Sequence, residues 1–402
     1  MKYDFDTLVN RQNSGNMKYI DTPEEVLQAG GISYSGAEMD FKTAPVIMEA
    51  LAAKARNGLY GYTITDDEYI NAIMHWMKTR RDFEIQREWI VPTYGTLQAM
   101  AAAIRAFSSE GEGVVIQPPV YLLYRKVIEH NHRQVVESPL IYEGGEYRMD
   151  FTSLEQVFAR KDTKLMILCN PHNPIGKVWE QDVLARVAEL AARYGVLVII
   201  DEIFAEVVFN GHYTVPYLQI PGTEGHAIVT TSLGKVFNFT GFSHANVLIA
   251  SESLRESFLR QREIDHYGSI NPFMREALIA GYRHGGEWVD EMLDYVQENI
   301  RLVCDFFQKY LPQITISETQ GTFLVWMDWN RLGLSEEELH VFLQKEAALD
   351  LDCGSWFGTG GYGFTRMNLA TPRKPLEQAL ERLKAASEKR GYTTMIKGVR
   401  QG

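Results

Sequence analysis

Short apolar runs alternate with helical stretches through the middle of the chain, from about residue 46 to about 250. The runs are β-branched, lack polar alternation and occupy residues 113–117, 164–169, 196–201, 227–232 and 246–250. Between them apolar residues recur at helical spacing, as in 180–194, where Val183, Val187 and Leu190 share one face. Apolar strands separated by helices predict an α/β fold whose mostly parallel sheet is covered on both sides.

The pattern changes after residue 285. An amphipathic stripe predicts a long helix from about 288 to 311, where Pro312 ends it. The apolar segment 322–329 and two further helical stretches, near 335–347 and 375–389, then predict a small α+β unit. We therefore expect a large domain over 46–285 and a small domain formed by 1–45 together with 286–402.

Composition and charge narrow the class of protein. The 402 residues include 40 Lys and Arg against 52 Asp and Glu, and this net charge of −12 disfavours nucleic acid as a partner. The three cysteines form no Cys-x-x-Cys pair, which indicates a reducing compartment without a zinc cluster. The beginning of the sequence lacks a leader-like apolar segment, and no run approaches the length of a membrane helix. We expect a soluble cytoplasmic protein with no bound metal and no membrane partner.

Polar side chains follow the predicted strands where each strand ends. Asn173 comes after the run 164–169, Asp201 closes 196–201, Ser232 closes 227–232, and Lys235 comes three residues later. Parallel strands place their carboxyl ends at one edge of the sheet, where open α/β sheets bind ligands. We expect these four side chains to lie close together.

These residue types suit one kind of chemistry. A buried lysine has a lowered pKa and becomes a nucleophilic amine that can form a Schiff base. An aspartate beside a ring nitrogen keeps that nitrogen protonated, and the helix opened by Gly95 and Thr96 offers free N–H groups to a phosphate. Together they are the parts that a pyridoxal 5′-phosphate (PLP) enzyme needs.

The ordered motifs resemble those of PLP-dependent enzymes of fold type I, in particular the C–S lyase branch (cystathionine β-lyase, MalY/PatB-like). The resemblance covers almost the whole chain. It rests on R-x-x-S-x-N-x-K at 11–18, A-E-M-D-F at 37–41, Y-G-Y at 60–62, C-N-P-H-N-P-I-G-K-V-W at 169–179, D-E-I-F at 201–204, S-L-G-K-V-F-N at 232–238 and G-S-W-F-G-T-G-G-Y-G-F-T-R-M-N-L-A-T-P at 354–372.

The resemblance implies a role for each matching residue. Lys235 would carry the cofactor and move the substrate's Cα proton, Asp201 would pair with the ring nitrogen, and Tyr121 would stack on the ring. Asn173 would bind the ring O3′ and lie near the substrate, whose α-carboxylate Arg366 would hold. Gly95, Thr96 and Ser232 would bind the phosphate of the cofactor, and Tyr62 from the partner subunit of a homodimer would also contact it. Gly36 would contact the substrate.

The chain departs from the family pattern at three places. Phe204 stands where the lyase branch usually has His, and Ser35 replaces a tryptophan of the substrate pocket. The arginine that many aminotransferases carry eight residues after the lysine is absent, since Ser243 and His244 occupy this stretch. These departures concern the substrate and the reaction more than the cofactor.

Each candidate also has an ordinary structural interpretation. Lys235 could be a surface lysine, Asp201 a strand-end turn residue, Asn173 part of an Asn-Pro turn and Arg366 a salt-bridge residue on a strand. Their joint occurrence favours function. Tyr121 could fill core space but is assigned to stacking, whereas Tyr124 and Cys169 are assigned structural roles only.

We predict a PLP-dependent lyase that performs β-elimination on L-cystathionine or another L-cysteine S-conjugate and yields pyruvate, ammonia and a thiol. An aminotransferase that uses the same residues remains the alternative. A regulatory or binding protein built on this fold is a third hypothesis, and the joint presence of Lys235, Asp201 and Asn173 disfavours it.

Overall fold

The computed structural model describes residues 1–11 and 13–393. Its strands are β1 (Ile90–Thr93), β2 (Gly113–Ile116), β3 (Gln134–Glu137), β4 (Ile141–Glu143), β5 (Glu146–Arg148), β6 (Thr163–Cys169), β7 (Leu197–Asp201), β8 (Ala227–Thr231), β9 (Ala245–Leu248), β10 (Thr315–Ile316), β11 (Leu324–Asp328), β12 (Asp352–Cys353) and β13 (Phe364–Asn368). Its α-helices are α1 (Met17–Ile20), α2 (Glu24–Gln28), α3 (Pro45–Asn57), α4 (Asp67–Arg81), α5 (Thr96–Phe107), α6 (Leu123–His130), α7 (Phe151–Phe158), α8 (Gln181–Tyr194), α9 (Leu233–Val236), α10 (Glu252–Ile264), α11 (Pro272–His284), α12 (Gly286–Tyr310), α13 (Glu336–Val341) and α14 (Arg373–Arg390).

A seven-stranded sheet in the order β1-β9-β8-β7-β6-β2-β3 forms the centre of the described chain. The pairs that involve β2, β3, β6, β7 and β8 among themselves are parallel, as the apolar runs predict. Residues of β2, β6, β7 and β8 are almost all buried, since helices cover both faces. The predicted α/β fold is therefore confirmed.

One strand of this sheet, β9, runs in the direction opposite to its two neighbours. Strand β9 pairs antiparallel with both β8 and β1. Consequently the beginning of β9, rather than its end, lies beside the carboxyl ends of β7 and β8. This direction brings the turn at Ser243 and His244 to the same edge as Asp201.

A smaller antiparallel sheet, in the order β10-β11-β13-β12, follows the long helix α12. Helix α12 buries one stripe that includes Trp288, Met292 and Val296, as the 3.6-residue periodicity predicts. The N-terminal Phe5 packs on this stripe, with ring centroids 5.6 Å from Trp288. Residues from both ends of the chain thus share one hydrophobic core. The domain boundaries at 45/46 and 285/286 stay a prediction, and part of the C-terminal segment, 394–402, lies outside the described residues.

Segment 33–39 crosses between the two sheets. The amide of Tyr34 donates to the carbonyl of Asp350, and the amide of Asn368 donates to the carbonyl of Tyr34. The side chain of Asn368 donates to the carbonyls of Gly36 and Glu38. These bonds fix an otherwise irregular segment against β13.

A buried ion pair lies directly behind the strand-end aspartate. Nη2 of Arg81 contacts Oε2 of Glu202 at 2.7 Å, and both side chains are almost fully buried. The other carboxylate oxygen of Glu202 accepts from the amide of Tyr217 at 2.8 Å. Since Glu202 follows Asp201, this pair anchors the carboxyl end of β7.

We expect Arg81→Met to destabilise the protein by about 3–5 kcal/mol, because it leaves the Glu202 carboxylate buried without its cation. Chemical denaturation with circular dichroism measures this change. Arg80→Met is the matched control: Arg80 pairs with the more exposed Asp290, so its loss costs about 1 kcal/mol or less. Equal destabilisation by the two variants would contradict the assignment.

Among the described residues, no helix combines the length and the apolar character required to cross a lipid bilayer.

Candidate active site

A cavity of about 580 Å³ opens at the carboxyl ends of β6 and β7. This volume suits a small-molecule ligand. Nearly all the residues that the sequence nominates line it, although they come from segments more than 300 positions apart. These residues are Gly36, Gly95, Thr96, Tyr121, Asn173, Asp201, Ser232, Lys235 and Arg366.

Lys235 lies on α9, one turn after β8. Its Nζ donates to the carbonyl of Ala37 at 2.8 Å and stands 5.7 Å from the centre of the Phe204 ring. Burial lowers the pKa of Lys235 to about 8, and the charge of Arg366 acts in the same direction. At pH 7 about a tenth of this amine is therefore unprotonated, far more than for an ordinary lysine, and the unprotonated form is the nucleophile.

Asp201 ends β7 with a buried carboxylate that accepts several hydrogen bonds. Oδ1 accepts from the amide of Ile203 at 3.1 Å and from the hydroxyl of Thr230 at 3.3 Å. Oδ2 accepts from the phenol of Tyr124 at 2.7 Å. Burial raises the pKa of Asp201, whereas these donors and Lys235 oppose the increase. The group is fixed in position and is suited to pair with a cationic ring nitrogen.

Tyr124 was assigned to the core from the sequence, and the structure adds a polar contact to that role. The residue is fully buried on α6, as its structural assignment predicts, but its hydroxyl donates to Asp201. Its ring meets that of Tyr121 edge to face, with centroids 5.4 Å apart. Cys169, buried as predicted, lies close by, and burial raises the pKa of its thiol to about 12. This cysteine is therefore not a reactive thiolate.

The N-terminus of α5 faces the same cavity. Gly95 takes the N-cap position with a φ of 104°, a conformation that glycine adopts without strain, and no side chain caps the helix. The first amides of this 12-residue helix are thus free to bind an anion. Next to this terminus, Ser232 donates to the carbonyl of His244 at 2.7 Å and accepts from the amide of Gly234 at 2.9 Å.

His244 occupies the region where many aminotransferases carry an arginine. Its Nε2 lies 2.7 Å from the hydroxyl of Tyr69, and burial lowers the pKa of the imidazole to about 4. The side chain is neutral at physiological pH. Anion binding at this wall therefore depends on the helix terminus and hydroxyl groups rather than on a cationic side chain.

Arg366 reaches the cavity from β13. Its Nη1 donates to Oδ1 of Asn173 at 2.7 Å, which joins two of the residues that the sequence assigns to substrate binding. Nε and Nη2 contact Oδ2 of Asp352 at 2.8 and 2.5 Å. Asp352 was not nominated from the sequence, since it lies on a two-residue strand whose partner the local pattern does not reveal.

Tyr62 is not brought to the cavity of its own chain. It is fully exposed, and Leu59 and Ile64 on the same segment are also exposed. The sequence assigns Tyr62 to a partner subunit's site, so this contact stays a prediction.

The chain is similar to proteins of established families. A family model described as aminotransferase class I and II matches residues 30–383. Cystathionine beta-lyase PatB of Bacillus subtilis is 32% identical over 383 residues, which cover 95% of this chain and 99% of that protein. Protein MalY of Escherichia coli is 31% identical, with 94% of this chain and 97% of that protein covered.

The fold of the chain is also similar to those of solved structures that contain PLP. Cystalysin from Treponema denticola, whose crystal structure contains a pyridoxal 5′-phosphate cofactor, superposes with a TM-score of 0.92 at 31% identity over 97% of this chain and all of that one. A PLP-bound C–S lyase from Staphylococcus hominis has a TM-score of 0.89 at 28% identity, and 96% of this chain and 99% of that chain are covered.

Proposed function

The chain belongs to the class I and II aminotransferase family, and we propose that it acts as a PLP-dependent C–S lyase on L-cystathionine or related L-cysteine S-conjugates. The reaction would consume water and release pyruvate, ammonia and a thiol, which is homocysteine when cystathionine is the substrate. The observation that carries this proposal is the convergence of Lys235, Asp201 and Arg366 on one cavity at the sheet edge.

The residues present fit the cofactor. Lys235 offers an amine of lowered pKa, and Asp201 a fixed buried carboxylate within the same cavity. Tyr121 provides an aromatic wall, and the uncapped terminus of α5 suits a phosphate. Lys235 would attach the cofactor covalently, Asp201 would pair with the ring nitrogen, and Asn173 would bind O3′. Gly95, Thr96 and Ser232 would hold the phosphate.

When bound, PLP supplies an electron-withdrawing ring that stabilises negative charge at the substrate's Cα. The chain's own residues perform the remaining work. Arg366 orients the amino acid by its α-carboxylate, together with Asn173. Lys235, once its amine is free, would take the Cα proton as a general base. The electron pair then expels the thiolate from Cβ, and hydrolysis completes the release of pyruvate and ammonia.

The charges of the cavity favour the lyase over the aminotransferase. Many amino acceptors are dicarboxylates, and a second carboxylate calls for a second cation in the pocket. Among the described lining residues the cationic side chains are Lys235 and Arg366, both already assigned, while Asp21, Asp201 and Asp352 are acidic. A substrate with a neutral or zwitterionic side chain fits this balance better than glutamate or 2-oxoglutarate.

A homodimer in the cytoplasm completes the proposal. The exposed apolar and aromatic side chains of Leu59, Tyr60, Tyr62 and Ile64 form a segment of the kind that protein interfaces cover. Tyr62 would reach the phosphate in the partner subunit. Two measurements on Tyr62→Ala test this arrangement: analytical ultracentrifugation for the dimer and a titration with PLP for the cofactor affinity. We expect the dimer to persist while PLP affinity falls, and unchanged PLP affinity would contradict the arrangement.

The lowered pKa of Lys235 predicts how cofactor capture depends on pH. Only the unprotonated amine attacks a carbonyl, so the rate of PLP capture by the apoprotein should rise with pH and level off above about 8. An ordinary lysine would give a midpoint near pH 10.4. Stopped-flow absorbance between about pH 6 and 10.5 measures this profile. A midpoint near 10 would contradict the environment described for Lys235.

The reaction itself is tested by incubating the PLP-loaded protein with L-cystathionine and no added 2-oxo acid. We expect continuous release of pyruvate, ammonia and homocysteine in equal amounts. A 2-oxo acid that retains the sulfur of cystathionine and appears only in proportion to enzyme, or amino transfer that requires an added 2-oxo acid, would contradict the lyase and support the aminotransferase.

A further inference from the structure

The guanidinium of Arg366 is paired inside the protein before any substrate arrives. Asp352 and Arg366 are direct cross-strand partners in the antiparallel pair of β12 and β13. Nε and Nη2 both contact Oδ2 of Asp352, and both side chains are at most 5% exposed. A buried pair of this kind fixes the guanidinium in one orientation, because either partner left alone would be an uncompensated charge.

Segment 33–39 holds Asp352 from the other side. The hydroxyl of Ser35 donates to Oδ1 at 2.5 Å, and the amide of Gly36 lies 3.1 Å from both carboxylate oxygens. Gly36 has a φ of 72°, a conformation that favours glycine, and this turn directs its amide at the carboxylate. Asp352 is therefore fixed by Ser35, Gly36 and Arg366 together, and both of its oxygens are occupied.

The bonds of Arg366 leave a defined face for a ligand. Of the five N–H donors of a guanidinium, two contact Asp352 and one binds Asn173. One N–H remains on each terminal nitrogen, and Arg366 lines the cavity. Two neighbouring N–H donors match the two oxygens of a carboxylate.

We propose that Asp352 is a positioning residue that presents Arg366 to the α-carboxylate of the substrate, with Ser35 holding Asp352 in turn. An unsupported arginine side chain loses rotamer entropy when it is ordered, and the Asp352 network meets this cost before binding. The inference rests on the proposed function and assigns a role to Ser35, the residue that replaces the tryptophan of the family pattern.

A matched pair of amines isolates this role. 2-Aminoisobutyrate has an α-carboxylate but no Cα proton, so it binds without elimination, and isopropylamine is the same molecule without its carboxylate. Both are titrated against the PLP-loaded protein by the change in cofactor absorbance. For Asp352→Asn, which removes the negative charge that pairs with Arg366, we expect affinity for 2-aminoisobutyrate to fall about ten- to a hundred-fold. Affinity for isopropylamine should stay unchanged.

A second Ser–Asp pair, between Ser33 and Asp350, supplies a control for this experiment. Ser33 donates to Asp350 just as Ser35 donates to Asp352, but Asp350 does not contact Arg366. Asp350→Asn should leave the ratio of the two affinities unchanged, whereas Ser35→Ala should lower it about three- to ten-fold.

Unaltered 2-aminoisobutyrate binding in Asp352→Asn, or an equal loss for both amines, would overturn the proposal. If Asp352→Asn does not fold, as judged by its melting temperature and cofactor absorbance, Ser35→Ala decides: an unchanged ratio overturns the proposal. A failure of the lyase function itself has a different signature, since the wild-type protein would then release no pyruvate from cystathionine while still binding both amines.

Discussion

Lys235→Ala should abolish the release of pyruvate from L-cystathionine, with kcat lower by about 10⁴-fold or more. Two functions are lost together, because the same amine attaches the cofactor and removes the Cα proton. The cavity should otherwise stay intact, since the Nζ of Lys235 contributes one hydrogen bond, to the carbonyl of Ala37. Continuous pyruvate assays at saturating PLP measure the loss.

Lys177→Ala is the matched control for this variant. Lys177 lies four residues after Asn173 and pairs with Glu180 outside the cavity. We expect its activity to be that of the wild type. Residual activity in Lys235→Ala above about 1% of the wild type would show that another residue performs the proton transfer.

Asp201→Asn should lower kcat by about 10²–10³-fold while leaving the fold intact. The amide has the shape of the carboxylate and can still accept from Tyr124 or Thr230, but it carries no charge to keep a ring nitrogen protonated. The visible absorbance of the bound cofactor should also change, because the ring nitrogen is no longer kept protonated by a negative charge. Steady-state kinetics together with a pH titration of the absorbance measure both effects.

The control for Asp201→Asn is Asp162→Asn, which alters a carboxylate at the opposite end of the parallel strands. Asp162 pairs with the partly exposed Arg160 and does not line the cavity. Its kinetics should be unchanged. A wild-type kcat for Asp201→Asn would contradict the proposed pairing of Asp201 with the ring nitrogen.

The parallel core could be predicted from sequence because buried strands are short apolar runs that helices separate. The run 227–232 and the run 246–250 have the same texture, yet β8 runs parallel to its neighbour β7 and β9 runs antiparallel to β8. The apolar pattern of a fully buried strand does not depend on its direction, so the sequence could not reveal this reversal. It nevertheless decides that His244 lies at the site.

The candidate site was predictable where its residues follow the strands. Asn173, Asp201 and Lys235 converge because the carboxyl ends of β6, β7 and β8 meet at one edge. Tyr124 could not be assigned beyond the core, since the hydrogen bond from its hydroxyl to Asp201 joins residues 77 positions apart. Asp352 depends on a cross-strand register that only the folded chain defines.

Mapping the attachment point of the cofactor tests the central assignment most directly. The PLP-loaded protein is reduced with borohydride, which makes the lysine linkage permanent, and its proteolytic peptides are sequenced by mass spectrometry. We expect the added pyridoxyl phosphate mass on Lys235 and no label after reduction of Lys235→Ala. A label on Lys177 or on any other lysine of the wild-type protein would contradict the account.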